Sequence, residues 1–70
     1  MIQAGEANIG GLYFTKSGIE VTVISKDAVK GKVLLEWHDS KSKKLRGRTE
    51  VKNDYILVNK DEYEIRLEDN

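Results

Sequence analysis

The chain of 70 residues contains neither cysteine nor proline. Without cysteine, no disulfide and no thiolate zinc site is available to stabilise the fold, and a reducing compartment suits the protein. The sequence also lacks the roughly 20 consecutive apolar residues of a membrane span, and its start lacks the features of a secretory signal. We therefore expect one small, soluble, cytoplasmic domain with a single hydrophobic core and no membrane contact.

Groups that perform catalysis are also scarce. His38 is the only histidine and there is no thiol, so no set of nucleophile, base and orienting group is evident. The carboxylates towards the C-terminus fit a solvated face better than a cation site; they are Asp61, Glu62, Glu64, Glu68 and Asp69. We expect a protein that is not an enzyme and that holds no metal and no cofactor.

Apolar residues recur at every second position, which is the period of a half-buried strand. Ile19, Val21 and Val23 alternate with polar residues, as do Val33, Leu35 and Trp37. Comparable runs separated by turn residues occupy 12–15, 19–25, 32–38, 45–52, 55–58 and 63–67. Short strands at this spacing favour an all-β barrel, because closure of the sheet removes exposed strand edges.

The fold prediction is a single antiparallel barrel of five strands over residues 12–68, preceded by a flexible N-terminal arm over residues 1–11. The arm is predicted because Gly5, Gly10 and Gly11 interrupt every periodic pattern in that segment. The predicted core consists of Val21, Val23, Val33, Leu35, Trp37, Val51, Leu57, Ile65 and Leu67.

The segment 18–33 resembles the KOW motif of small SH3-like barrels. That motif joins a turn glycine, a strand of the form Val-x-Val-Ile, a polar loop and a Gly-Lys-Val that opens the next strand. The matching positions are Gly18, Val21, Val23, Ile24, Lys30, Gly31, Lys32 and Val33. The same plan is similar to Tudor-type barrels and to small phage and bacterial accessory proteins. The resemblance implies an SH3-like fold and, from the KOW-type barrels, a partner such as RNA or a polymerase.

Positive charge is concentrated in one part of a chain whose formal net charge is zero. Residues 41–48, here called the basic hairpin, contain five cations and no carboxylate. Nine basic and four acidic residues lie between positions 26 and 52, whereas two basic and six acidic residues follow them. Such separation is typical of a surface that binds an anionic partner.

The first functional hypothesis is binding of RNA or another single strand through residues 41–52. Arg46, Arg48 and Lys52 fall on one solvent face of the predicted strand, where such a row can follow a phosphate backbone. Tyr13 is predicted to face outward, because Leu12 and Phe14 are assigned to the core, and to stack on a base. The proposed binding residues are Lys41, Lys43, Lys44, Arg46, Arg48, Lys52 and Tyr13.

The alternative is a protein-interaction module that docks on a larger partner through the same basic hairpin or through a free strand edge. In that case the protein is a small modulator whose hairpin meets an acidic surface. The cations can also be interpreted without any binding role, since charged hairpins keep β-proteins soluble. A weaker hypothesis is an aromatic cage for methylated lysine built from Tyr13, Trp37, Tyr55 and Tyr63. A monomer is expected in each case.

Overall fold

The computed structural model describes residues 1–39 and 41–63. They form six strands: β1 (Ile2–Gln3), β2 (Leu12–Phe14), β3 (Glu20–Asp27), β4 (Lys32–His38), β5 (Leu45–Lys52) and β6 (Ile56–Asn59). A 3-10 turn covers Ala4–Glu6, and residues 60–63 are helical. All neighbouring strands are antiparallel, in the order β1-β6-β2-β3-β4-β5. The all-β prediction is confirmed, with six strands instead of five and with no pairing of β5 to β1 in the described residues.

The meander of β3, β4 and β5 follows the predicted alternation. Val21 lies opposite Trp37, and Val23 lies opposite Leu35, so that the apolar sides of β3 and β4 share one face. The predicted core residues Val21, Val23, Val33, Leu35 and Leu57 are buried, and Trp37 and Val51 are partly buried against them. Ile65 and Leu67 lie outside the described residues. Removal of these aliphatic groups from water is the main stabilising contribution to a domain of this size.

The two turns of this meander are built alike. The Asp27 carboxylate accepts hydrogen bonds from the backbone N–H groups of Val29 and Lys30, both at 3.1 Å, and the turn ends at Gly31 with φ +67°. In the β4–β5 turn, Asp39 accepts two such bonds in the same way, and Lys43 has φ +62°. A left-handed residue at this position allows each turn to close onto its strand pair.

The N-terminal segment differs from the predicted flexible arm. Ile2 and Gln3 pair with β6, and Ala4 and Ala7 are completely buried in the core. The small alanine side chains let the backbone of this segment pack directly against the sheet. The partners of Ile2, Gln3, Ala4 and Gly5 in β6 and in the loop before it lie more than 40 residues away in sequence, which periodicity cannot detect.

Backbone hydrogen bonds connect this segment to the loop between β5 and β6. Ala4 N–H donates to Tyr55 O at 2.7 Å, and Gly5 N–H donates to Asn53 O at 2.9 Å, just beyond the end of β5. Lys26 Nζ also donates to Gly5 O at 3.0 Å. These bonds hold the segment to the loop between β5 and β6 and to β3.

The end of the described chain forms a second, smaller apolar contact. Val58 is buried, and its neighbour across the strands is Phe14, whose ring stacks on Tyr63 at 4.3 Å between centroids. Glu62 and Tyr63, predicted at the start of a last strand, are helical, and the remainder of that strand lies outside the described residues. No helix in the described ranges is long and apolar enough to cross a membrane.

Candidate binding surface

The predicted cations lie together on the β4–β5 turn and on β5. All six are exposed: Lys41, Lys43, Lys44, Arg46, Arg48 and Lys52. The turn is fixed by Asp39, whose Oδ1 accepts hydrogen bonds from Lys41 N at 2.8 Å and Ser42 N at 3.2 Å. These backbone donors, and after them the positive charge of Arg46, hold the pKa of Asp39 below its ordinary value. The turn therefore presents its lysines from a defined backbone.

Three of the cations form ion pairs with carboxylates of the same molecule. Lys43 Nζ lies 3.0 Å from Glu20 Oε1, and Arg48 Nε donates to Glu36 Oε2 at 2.8 Å. Arg46 Nη1 lies 3.7 Å from Asp39 Oδ2. Each pair lowers the positive potential that an anionic partner would meet at that point.

Lys41, Lys44 and Lys52 make no ion pair within the described ranges. Lys41 and Lys44 belong to the turn, whereas Lys52 lies at the far end of β5, about 26 Å from Lys44 at the rise of an extended strand. Glu50 is interposed between Arg48 and Lys52. The unpaired charge is therefore divided between the two ends of β5 instead of forming an unbroken row.

A bulge changes the predicted alternation of β5. Trp37 lies opposite Gly47 and His38 lies opposite Leu45, so Arg46 is the additional residue in its strand. A Cβ atom on Gly47 would lie only 3.0 Å from Trp37 Nε1. The absence of a side chain at position 47 thus allows the indole ring to lie across the strand, close to the edge of the sheet.

The prediction that Tyr13 faces outward is wrong. Tyr13 is 7% exposed and lies opposite Val21 on the core face, whereas Leu12 is 41% exposed. The Tyr13 hydroxyl accepts a hydrogen bond from Asn8 N at 3.0 Å, which gives the buried polar group a partner. Because β2 is only three residues long, the sequence did not establish which of its faces is buried. Tyr13 is not available to stack on a base.

An apolar groove of about 260 Å³ lies on the core face of the sheet. Its rim includes Ile19 and Tyr55, which are 43% and 38% exposed. The lining residues are Thr15, Ile19, Val21, Leu35, Trp37, Thr49, Val51 and Tyr55. Sequence reasoning missed this groove, although the alternation placed Trp37 and Val51 on one face. Its position depends on the turns that bring Ile19 and Tyr55 towards β5.

The four aromatic residues considered for a methyl-lysine cage do not converge. Trp37 and Tyr55 line the groove, Tyr13 is buried in the core, and Tyr63 stacks on Phe14. The described residues that line the groove include no carboxylate to attract a cation. The arrangement suits an uncharged apolar side chain better than a methylated ammonium group.

Strand β5 is an edge of the sheet. It pairs with β4 along its length, and no described strand pairs with its other side. Alternate backbone N–H and C=O groups of an edge strand point away from the sheet, where another chain can pair with them. Most β5 side chains are also exposed, so approach to this edge is open in the described structure.

His38 does not belong to a group of metal-binding side chains in the described part of the chain. Its Nε2 lies 3.5 Å from Thr22 Oγ1. Within residues 1–39 and 41–63, no three His, Asp or Glu side chains are grouped so as to hold a metal ion.

Comparison of the chain with protein-family models, curated proteins and solved structures gave no match. The resemblance of segment 18–33 to KOW-type and Tudor-type barrels therefore stays a prediction.

Proposed function

We propose that the protein is a non-catalytic interaction module, a cytoplasmic monomer that docks on a larger protein through the basic hairpin and β5. The observation that carries this proposal is the position of β5 as an eight-residue strand at the edge of the described sheet, with six of its eight residues exposed there. An edge strand offers main-chain hydrogen bonds to a partner, and nearby charges favour one kind of partner over another.

The proposal extends to the fold. The bonds from Ala4 and Gly5 to residues beyond β5 support an SH3-like barrel that the N-terminal segment closes at one end. In this arrangement the sheet opens beside β5. The opening then supplies both the free edge and the access to the apolar groove.

Binding of RNA or another single strand is the second candidate. Lys41, Lys44 and Lys52 favour it, because their side chains form no ion pair within the described ranges. Two observations count against it: Lys43, Arg46 and Arg48 are already paired, and Tyr13 is buried. Recognition of single strands relies on continuous positive charge together with accessible aromatic rings.

Titration of the ¹⁵N-labelled protein at low salt distinguishes the two candidates. The ligands are hexaglutamate, as an acidic peptide, and mixed RNA and DNA oligomers. For the interaction module, hexaglutamate shifts the amide signals of residues 41–52 and the oligomers bind more weakly. Tighter binding of the oligomers, with a slope of about −2 for log affinity against log salt from three lysine contacts, would establish the nucleic-acid function instead.

Reversing the charge of lysines in the basic hairpin tests whether this surface binds the peptide. The variant Lys41→Glu/Lys44→Glu removes two cations that pair with no described carboxylate and is expected to abolish hexaglutamate binding. The control, Lys16→Glu/Lys30→Glu, makes the same change of net charge in other exposed turns. Equal loss of binding in both variants would show that net charge, and not the basic hairpin, attracts the peptide.

A further inference from the structure

The apolar groove and the free edge of β5 are adjacent. Thr49 and Val51 of β5 line the groove, and Trp37 of the neighbouring strand forms part of its wall. Ile19 and Tyr55 remain substantially exposed at the rim. An apolar rim beside an unpaired strand edge offers two kinds of contact to one ligand: backbone hydrogen bonds and burial of a side chain.

A strand added to β5 would direct every second side chain towards this groove, because successive side chains alternate between the faces of a sheet. The residue beside Thr49 or Val51 would face the Trp37 ring and the rim. An apolar cavity of roughly 150 Å³ already accommodates a benzene ring. A groove of about 260 Å³ therefore has room for a leucine or phenylalanine side chain.

The positive charge of residues 41–52 indicates which other side chains such a ligand should carry. Residues 41–52 contain six cations and one carboxylate, Glu50. The lysines that form no ion pair within residues 1–39 and 41–63 lie at the two ends of β5, so an acidic strand of similar length would have a cation near each end. None of the described residues that line the groove is charged. The complementary ligand is acidic at one set of alternate positions and apolar at the other.

We propose that the groove and the β5 edge together bind an extended acidic segment of a partner protein, which adds to the sheet as a strand and inserts an apolar side chain beside Trp37. This inference rests on the proposed function and specifies the chemistry of its partner. Backbone pairing supplies the register, the groove selects the apolar residue, and the basic hairpin selects negative charge.

The test uses the full chain and the blocked peptide Glu-Val-Glu-Leu-Glu-Val-Glu. The peptide Glu-Ser-Glu-Ser-Glu-Ser-Glu has the same charge without apolar side chains. Its affinity is expected to be lower by a factor of about ten or more. The variants Ile19→Ser and Tyr55→Ser each replace a large side chain at the exposed rim of the groove by a small polar one. Val29→Ser is the control, because Val29 is fully exposed in the β3–β4 turn.

The expected result is a roughly tenfold loss of affinity for the first peptide in Ile19→Ser and Tyr55→Ser, with no change in Val29→Ser. Amide exchange of β5 should slow when the peptide is bound, since its edge groups become paired. The amide spectrum of each variant shows independently that it is folded.

Other results overturn the inference in distinguishable ways. Equal binding of the two peptides, unaffected by the groove variants, would leave an interaction module that uses its basic hairpin alone. Failure of both peptides to bind at millimolar concentration would remove the proposed function as well. A dimer in sedimentation experiments that Ile19→Ser dissociates would assign the groove to a second copy of the chain.

Discussion

Lys43 combines a backbone cost with a side-chain gain. It is the one residue other than glycine with positive φ in the described ranges, and the equivalent position of the β3–β4 turn is Gly31. A side chain in the left-handed region costs about 1 kcal/mol. The Lys43 ammonium group pairs with Glu20, whose side chain is 10% exposed, and a pair of this kind contributes about 1 kcal/mol. The two contributions are similar in size and opposite in sign.

Two substitutions separate these contributions. Lys43→Ala removes the ion pair and keeps the backbone cost, so unfolding in urea should show a loss of about 1 kcal/mol. Lys43→Gly also removes the ion pair but relieves the backbone, and its stability should lie within about 0.5 kcal/mol of the wild type. A glycine variant less stable than the alanine variant would contradict the assignment of a backbone cost to this position.

The lowered pKa of Asp39 makes the β4–β5 turn sensitive to acid. Because the pKa is lower in the folded chain than in the unfolded one, ionised Asp39 stabilises the fold above the unfolded pKa. That stabilisation is lost as pH falls through the folded pKa. In Asp39→Asn, stability should therefore fall less steeply than in the wild type between about pH 5 and pH 2. Asp54→Asn serves as an exposed control, and an unchanged profile in Asp39→Asn would contradict the prediction.

At the scale of elements, the N-terminal segment is an integral part of the sheet. β1 pairs with β6, and the 3-10 turn places Ala4 in the core. Ala4 and Ala7 bury little area each, but the backbone between them approaches the sheet closely enough for Ala4 to pair with Tyr55 and Gly5 with Asn53. A larger or charged side chain at either alanine has no space without displacing the segment.

Ala4→Asp tests this role of the segment. A carboxylate at this fully buried position should lower stability by about 3 kcal/mol or more, a large part of the roughly 4–10 kcal/mol expected for a domain of this length. Ile9→Asp introduces the same carboxylate at an exposed site of the same segment and should change stability by less than about 1 kcal/mol. Thermal unfolding followed by circular dichroism measures both. Similar melting temperatures for Ala4→Asp and wild type would show that the segment is loosely attached.

For the whole molecule, the sequence predicts the parts whose contacts are local. The alternation around Val21, Val23 and Leu35 identified the core of the meander because each of these strands has a regular period and pairs with its neighbour in sequence. Ala4 and Ala7 were missed, since two isolated alanines carry no periodic signal. The face of Tyr13 was assigned incorrectly because β2 is too short to establish its register by itself.

The candidate site shows the same division. The sequence located the basic hairpin, because five cations in eight residues are visible without a structure. It did not reveal that Lys43 and Arg48 pair with Glu20 and Glu36, since those carboxylates belong to other strands and their distance depends on register. The groove depends in addition on side chains from separate parts of the chain, among them Thr15, Trp37 and Tyr55.

The pairing of β1 with β6 has a consequence for the order of folding. The turns between β3, β4 and β5 join neighbouring segments, whereas the partner of Ile2 is Leu57, near the other end of the described chain. Closing a long loop costs more conformational entropy than closing a short one, so the meander is expected to form before the N-terminal segment docks. An intermediate without this segment would expose the side of β6 that β1 covers, so that the four-residue β6 would replace the two-residue β1 as the outer edge of the sheet. The late step in folding is thus also the step that limits self-association of the nascent sheet.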